Sequence, residues 1–290
     1  MLFFHRRYQL QAACISHPGR VRGNNEDAAW LMGKIKEDPD QPEFASVWSG
    51  VSLRFLAAVA DGMGGEACGE IASMEAVKNL QPAAFPGIRA RAVADIAAAN
   101  EVICREMEAQ GSRMGSTFAA LYLDGDRGLA VNVGDSRVYL LRDGIFTQLS
   151  TDHDRAAQMV RQGMLTKEEA AKHPARHSLT QHLGIDPEEF VIEPAFSEVT
   201  GLREGDIFLL CSDGLSDMVP DERIREILVG GDKAGGNAAG GNENNAWNEN
   251  GAGNESRAAL ACLALRDAAL AAGGRDNVTV LTVFVEGAEA

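Results

Sequence analysis

Residues 58–70, AVADGMGGEACGE, place one carboxylate, Asp61, between an apolar run and three closely spaced glycines. Glycine has no side chain, so the backbone in this stretch can approach other groups closely. An acid in such a setting can serve a cation or phosphate site, or it can simply form a tight turn. The rest of the chain has to decide between these two interpretations.

The same local pattern recurs at four other positions far apart in the chain. In each case an acidic residue lies where an apolar run meets a turn: Asp27, Asp135, Asp213 and Asp276. Taken alone, each is typical of a turn former. Five carboxylates brought together would repel one another unless a divalent cation absorbed their charge. Oxygen ligands without Cys or His favour Mg²⁺ or Mn²⁺ over Ca²⁺, and two such ions can activate water for displacement at phosphorus.

The amino-acid composition excludes several classes of protein for this chain. The 290 residues carry a formal net charge of −15, which argues against a nucleic-acid partner because such binding needs clustered basic residues. Five scattered cysteines without a C-x-x-C pair predict reduced thiols and no zinc knuckle. No apolar stretch reaches the roughly 18 residues of a membrane span. We therefore expect a cytoplasmic protein with no membrane span.

Periodicity predicts an α+β layered domain. Runs rich in Val, Ile, Leu and Phe predict strands, and the runs around residues 116–133 and 137–149 predict hairpins that turn on Asp-Gly. The predicted strand runs are 10–16, 51–61, 116–124, 128–144, 206–214 and 277–286. The predicted helices are 66–80, 88–110, 221–228 and 256–274. The order of these runs predicts mostly antiparallel strands, with the helices grouped between them along the chain.

Two segments differ from this pattern. Residues 230–256 consist almost entirely of Gly, Asn, Ala and Glu, which cannot bury enough apolar surface to fold, so a disordered insert is predicted. Residues 152–184 are polar and hold four of the six histidines. Their spacing fits no common metal motif, so a mobile flap is favoured over a transition-metal site.

Six short motifs in order resemble the metal-dependent type-2C serine/threonine protein phosphatases, in their bacterial, freestanding form. They are RGNNED (22–27), DGMGG (61–65), GST (115–117), VGDSR (133–137), SDGLSD (212–217) and RDN (275–277). The similarity runs from about residue 11 to 285. It implies one domain over residues 1–290, folded as a four-layer α/β/β/α sandwich of two mostly antiparallel sheets flanked by helices.

The resemblance also implies roles for the acids. Asp61 would bridge two Mn²⁺ or Mg²⁺ ions, with the Gly62 carbonyl as a further ligand. The first ion would also be held by Asp213 and Asp276. The second ion would lie by Asp27 and Glu26, and a third, weaker ion by Asp135 and Asp213. Arg22 would bind the phosphoryl oxygens.

The chain departs from many relatives at two places. Met63 stands where some relatives have a histidine proposed to protonate the leaving group, so no side chain is assigned as general acid. Gln181 and His182 replace an Arg-Ala pair in the flap. Altered substrate preference and neutral variation both fit this second departure.

The resemblance implies hydrolysis of phosphoserine and phosphothreonine in proteins, opposing a Ser/Thr kinase, by a monomer. One alternative is a catalytically inactive relative that acts as a regulatory binding module. Such relatives generally lose metal ligands, whereas Asp27, Asp61, Asp213 and Asp276 are all present. Another is a phosphatase whose target is a small phosphorylated regulator of transcription.

Overall fold

The computed structural model describes residues 7–64, 68–170, 172–230 and 256–288. Its strands are β1 (Tyr8–His17), β2 (Asp27–Leu31), β3 (Phe44–Val51), β4 (Phe55–Gly64), β5 (Met114–Ser116), β6 (Phe118–Asp124), β7 (Arg127–Val133), β8 (Arg137–Arg142), β9 (Ile145–Gln148), β10 (Ala195–Phe196), β11 (Thr200–Gly201), β12 (Ile207–Cys211) and β13 (Val278–Ala288). Its helices are α1 (Gly69–Val77), α2 (Ile88–Gln110), α3 (Arg155–Arg161), α4 (Lys167–Ala170), α5 (Asp213–Ser216), α6 (Asp221–Gly230) and α7 (Arg257–Ala271).

The strands form two antiparallel sheets. The first has the order β3-β1-β13-β12-β8-β9. The second has the order β10-β7-β6-β4-β2, with β11 paired to β7 and β5 paired to β4. Because β12 and β13 are neighbours in the first sheet and β2 and β4 in the second, residues distant in sequence meet at the strand ends.

Strand β4 shows how the layers are built. Phe55, Ala57 and Val59 are buried in the core between the two sheets, whereas Leu56 and Ala58 alternate with them and are buried in the core beneath the helices. Such alternation arises because successive strand side chains point to opposite faces.

The helices complete the outer layers. Helices α1 and α2 cover the second sheet, and a third core joins α6 and α7 to the outer face of the first sheet. The predicted α/β/β/α arrangement is confirmed.

Both predicted Asp-Gly hairpins are present. Strands β6 and β7 pair with Asp124 opposite Arg127, and β8 pairs with β9 across Asp143 and Gly144. Asp143 and Gly144 have φ of 52° and 78°, the left-handed values that a two-residue hairpin turn of type I′ requires. The helix predicted at 88–110 is α2, residue for residue.

The strand predicted at 51–61 is wrong in two respects. A turn divides it, because Arg54 adopts a positive φ of 52° and the Ser52 hydroxyl donates to the Gly125 carbonyl at 2.6 Å. Asp61 also does not end its strand. Strand β4 continues to Gly64, since Gly62–Gly64 pair with β5.

Other boundaries differ by a few residues. The helix predicted at 66–80 is α1, which runs from Gly69 to Val77; residues 65–67 lie outside the described part of the chain. The predicted disordered insert, 230–256, also lies almost wholly outside the described residues. None of the described helices is long and apolar enough to cross a membrane.

Candidate functional site

Asp27 and Asp61 lie directly opposite each other on the paired strands β2 and β4. Residues opposite each other in an antiparallel pair project to the same face, and like charges there are destabilising. Asp27 is almost fully buried, at 1% exposure. Burial is the main reason that the pKa of Asp27 rises to about 7, with the Asp213 and Asp276 carboxylates adding to the effect.

Asp213 reaches the same cluster from the first sheet. It begins helix α5, just after β12, and its carboxyl group lies close to that of Asp61. Burial, then the charges of Asp217 and Asp276, raise the pKa of Asp213 to about 6.

Neighbouring carboxylates also act on Asp61. Burial raises its pKa well above the usual range, and the next causes are four nearby carboxylates: Asp27, Asp213, Asp135 and Asp276. Asp135, in the turn after β7, shows the same large rise, from burial and then Asp213. The structure therefore brings all five sequence-predicted acids into one electrostatic cluster, which we call the acidic cluster.

The GST motif holds Asp61 in place. The Asp61 amide donates to the Thr117 hydroxyl at 2.8 Å, and the Thr117 amide donates back to the Asp61 carbonyl at 2.9 Å. The Thr117 hydroxyl in turn bonds to that of Ser136 at 2.7 Å, in the loop that carries Asp135. Three of the motifs, DGMGG, GST and VGDSR, are thus joined by a short hydrogen-bond chain.

The acidic cluster fits divalent cations. Asp27 Oδ2 accepts from the Ser212 hydroxyl at 2.7 Å, but Asp27 Oδ1 is buried and no donor among the described residues reaches it. A buried charged oxygen without a partner is costly, and a cation or its water shell would satisfy it. A set of oxygen donors without sulfur or imidazole suits Mg²⁺ or Mn²⁺.

Gly62 leaves no room for a side chain. A Cβ atom there would lie 2.0 Å from the Gly69 carbonyl oxygen and 2.5 Å from that of Glu26. The Gly62 amide donates to the Glu26 carbonyl at 3.1 Å. This close approach explains why glycine is needed next to Asp61.

Arg22 and Glu26 lie at the open side of the acidic cluster. The Arg22 guanidinium donates to Asp276 Oδ2 at 2.7 Å, and its side chain is 50% exposed. The Glu26 amide donates to the Asn277 side chain at 2.8 Å, which ties the RGNNED motif to the start of β13. Burial raises the pKa of Glu26.

Two residues near the acidic cluster were not predicted. Ligand atoms of His177, Asp213 and Asp217 all lie within 4.8 Å of one another, and Arg176 forms an ion pair with Asp217. Asp217 follows Asp213 by four residues across one helical turn, so the second acid of SDGLSD could have indicated it. His177 gave no such signal, because its position depends on how the 152–184 segment folds back.

The two flap positions that differ from relatives contact local backbone. Gln181 Oε1 accepts from the Glu193 amide at 2.7 Å, and His182 Nδ1 lies 2.7 Å from the Leu183 carbonyl oxygen. These bonds give both side chains a structural role. Altered substrate preference at these positions stays a prediction.

In a chelator such as EDTA, the free energy of unfolding should fall as the pH rises from about 4 to 7. The folded-state pKa values of Asp27 and Asp213, about 7 and about 6, exceed the ordinary aspartate value, so the folded chain binds more protons in this window. Stability from these groups is therefore present at low pH and lost as the pH rises. Urea unfolding across the window would measure it.

The matched variant for this prediction is Asp27→Asn. Its free energy of unfolding should decline less over the same window, because the amide does not titrate. Equal slopes for the wild type and Asp27→Asn would contradict the assignment of the pH dependence to Asp27.

Comparison with known proteins gives consistent matches. A family model described as Protein phosphatase 2C matches residues 35–229. The serine/threonine protein phosphatase PstP of Mycobacterium tuberculosis is 37% identical over 286 residues, covering 95% of this chain and 45% of PstP. The serine/threonine phosphatase stp of Listeria monocytogenes is 33% identical over 221 residues, covering 72% of this chain and 79% of that protein. The chain thus spans about half the length of PstP.

Solved structures share the fold. The crystal structure of the Mycobacterium tuberculosis phosphatase PstP/Ppp has a TM-score of 0.73 and 33% identity, covering 96% of this chain and 100% of that chain. The catalytic domain of PstP in complex with 2 manganese ions has a TM-score of 0.70 and 31% identity, with the same coverage.

Proposed function

The chain belongs to the protein phosphatase 2C family, and we propose that it hydrolyses phosphoserine and phosphothreonine in proteins with the help of divalent cations. One observation carries the proposal. The acidic cluster combines five carboxylates from both sheets with a buried, unpartnered Asp27 oxygen, and Arg22 lies at its rim. Such a site needs cations to be stable in its charged form and presents a guanidinium where a phosphoryl group would enter.

The family resemblance indicates which residues would hold the ions. Asp61, whose pKa is raised by the charges of the other four acids, would be shared by two ions, one completed by Asp213 and Asp276. Asp27, Glu26 and the Gly62 carbonyl would serve the second. When bound, two such ions lower the pKa of a water molecule and stabilise charge at phosphorus. A third ion by Asp135 and Asp213 belongs to the same proposal.

Arg22 would orient the substrate. Its guanidinium offers a planar fork that matches two phosphoryl oxygens. Its contact with Asp276 leaves it half exposed, so it remains within reach of an incoming phosphate. Met63 cannot donate a proton, so protonation of the leaving alkoxide would come from water.

We also propose which cations, substrates and compartment belong to this activity. Mn²⁺ and Mg²⁺ both suit the ligands. The substrates would be phosphoproteins modified by a partner Ser/Thr kinase, and the protein would act as a monomer in the cytoplasm. The five cysteines are all unpaired, which supports a reducing compartment. No acid of the acidic cluster is replaced, so the inactive alternative gains no support.

Removal of metal is expected to abolish activity. With Mn²⁺ or Mg²⁺ the protein should release phosphate from p-nitrophenyl phosphate and from a phosphothreonine peptide, and EDTA should stop both reactions because no side chain replaces the activated water. Re-addition of Mn²⁺ should restore them. Turnover that persists in EDTA would refute the metal-dependent proposal, and peptide binding without turnover in any metal would favour the regulatory-module alternative.

A further inference from the structure

Lys36 is a buried lysine close to the acidic cluster. It lies in the segment between β2 and β3 and is 2% exposed. Lysine is almost never fully buried unless it is paired, because desolvating an ammonium group is costly. Its three donors are all used, on the carbonyl oxygens of Asp27 at 2.9 Å, Pro39 at 2.9 Å and Asn25 at 3.2 Å. The ammonium is therefore fully satisfied by backbone.

Two of these acceptors flank Glu26. One ammonium binds the carbonyls of both Asn25 and Asp27, the residues on either side of Glu26. The Glu26 backbone is held from elsewhere, since its amide donates to Asn277 and its carbonyl accepts from the Gly62 amide. The three-residue segment 25–27 is thus fixed by Lys36 together with groups near Asp61 and Asp276.

The positive charge of Lys36 lies near buried carboxylates. Burial lowers its pKa, and the carboxylates of Asp27 and Glu70 act in the opposite direction. Glu70 is itself buried, and its Oε2 has no hydrogen-bond partner among the described residues. The ammonium therefore adds a positive charge near both of these buried carboxylates.

We propose that Lys36 is a positioning residue, which fixes segment 25–27 so that Glu26 and Asp27 are preorganised for a divalent cation. The proposal rests on the proposed metal-dependent function. Lys36 touches neither substrate nor the reacting atoms, and it acts through the backbone of the residues it binds. Groups that orient metal ligands in this way commonly contribute 10- to 100-fold to metal affinity.

The test compares Lys36→Met with Lys34→Met. Methionine keeps much of the apolar stem and removes the ammonium. Lys34 is the matched control, because its ammonium also donates to a backbone carbonyl, that of Val47 at 2.8 Å, but it is exposed and binds β3 instead of segment 25–27. Mn²⁺ affinity is measured by calorimetric titration, and the unfolding temperature in EDTA is measured alongside.

Lys36→Met should be folded in EDTA and bind Mn²⁺ at least about tenfold more weakly, with Lys34→Met unchanged. Lys36→Arg, which keeps the charge and donors, should recover part of the affinity. A folded Lys36→Met, or a folded Lys36→Gln if methionine prevents folding, with wild-type Mn²⁺ affinity would overturn the inference. Failure of both to fold would do the same, because Lys36 would then serve the fold as a whole. Absence of Mn²⁺ binding by the wild type would instead refute the proposed function.

Discussion

Asp61→Asn is expected to abolish phosphate release while making the metal-free protein more stable. The loss of turnover should be on the order of 10³-fold or more, because the carboxylate proposed to be shared by two ions is removed. Stability should rise because the amide nearly matches the shape of the carboxylate and ends its repulsion with Asp27, Asp135, Asp213 and Asp276. The measurements are phosphate release with Mn²⁺ and thermal unfolding in EDTA.

The control is Asp206→Asn, the same substitution at a buried aspartate that is paired. Asp206 is 1% exposed and accepts from the Arg142 guanidinium at 2.7 and 2.6 Å. Breaking this pair should lower the unfolding temperature and leave turnover near the wild-type rate. If Asp61→Asn also unfolded at a lower temperature in EDTA, the repulsion described for the acidic cluster would be wrong.

Gly62→Ala is expected to reduce turnover by about 10²-fold, since displacements near 1 Å in an active site have effects of this size. The new Cβ would overlap the carbonyl oxygens of Gly69 and Glu26, which are backbone atoms and cannot rotate away. Either the start of α1 or segment 25–27 must move, and both adjoin the acidic cluster. Phosphate release and Mn²⁺ titration would measure the effect.

Gly201→Ala is the matched comparison. Gly201 lies on β11, and a Cβ atom there would have no heavy atom within 4 Å. Turnover and Mn²⁺ affinity should therefore stay at wild-type values. Wild-type turnover in Gly62→Ala would show that the backbone beside Asp61 tolerates displacement and that its close approach has no role in the site.

Much of the site was predictable because most of the acids lie next to a strong local signal. Asp135, Asp213 and Asp276 adjoin apolar strands that the sequence pattern marks clearly. Strand β2, which begins at Asp27, was not predicted, and its antiparallel pairing with β4 places Asp27 opposite Asp61. Asp61 shows the limit of this reasoning. Its glycines suggested a turn, but β5, more than fifty residues later, extends the strand by pairing with Gly62–Gly64.

The features that were missed depend on contacts between distant segments. Strand β3 contains polar residues and a turn follows it, so no apolar run marks it. Lys36 lies in the stretch KIKEDPDQ, whose composition is typical of an exposed loop, yet it is buried against Asn25 and Asp27. His177 approaches Asp213 only through the folding of the flap.

The placement of the acids on both sheets has a consequence for the stability of the folded protein. Asp27 and Asp61 belong to the second sheet, whereas Asp213 and Asp276 adjoin strands of the first. A cation bound by acids of both sheets would hold the two layers together. Without a cation, the same carboxylates repel one another across the two layers. Binding to the folded chain alone adds directly to its stability. The concentration of divalent cation would thus set the fraction of molecules that are folded, as well as the rate of turnover.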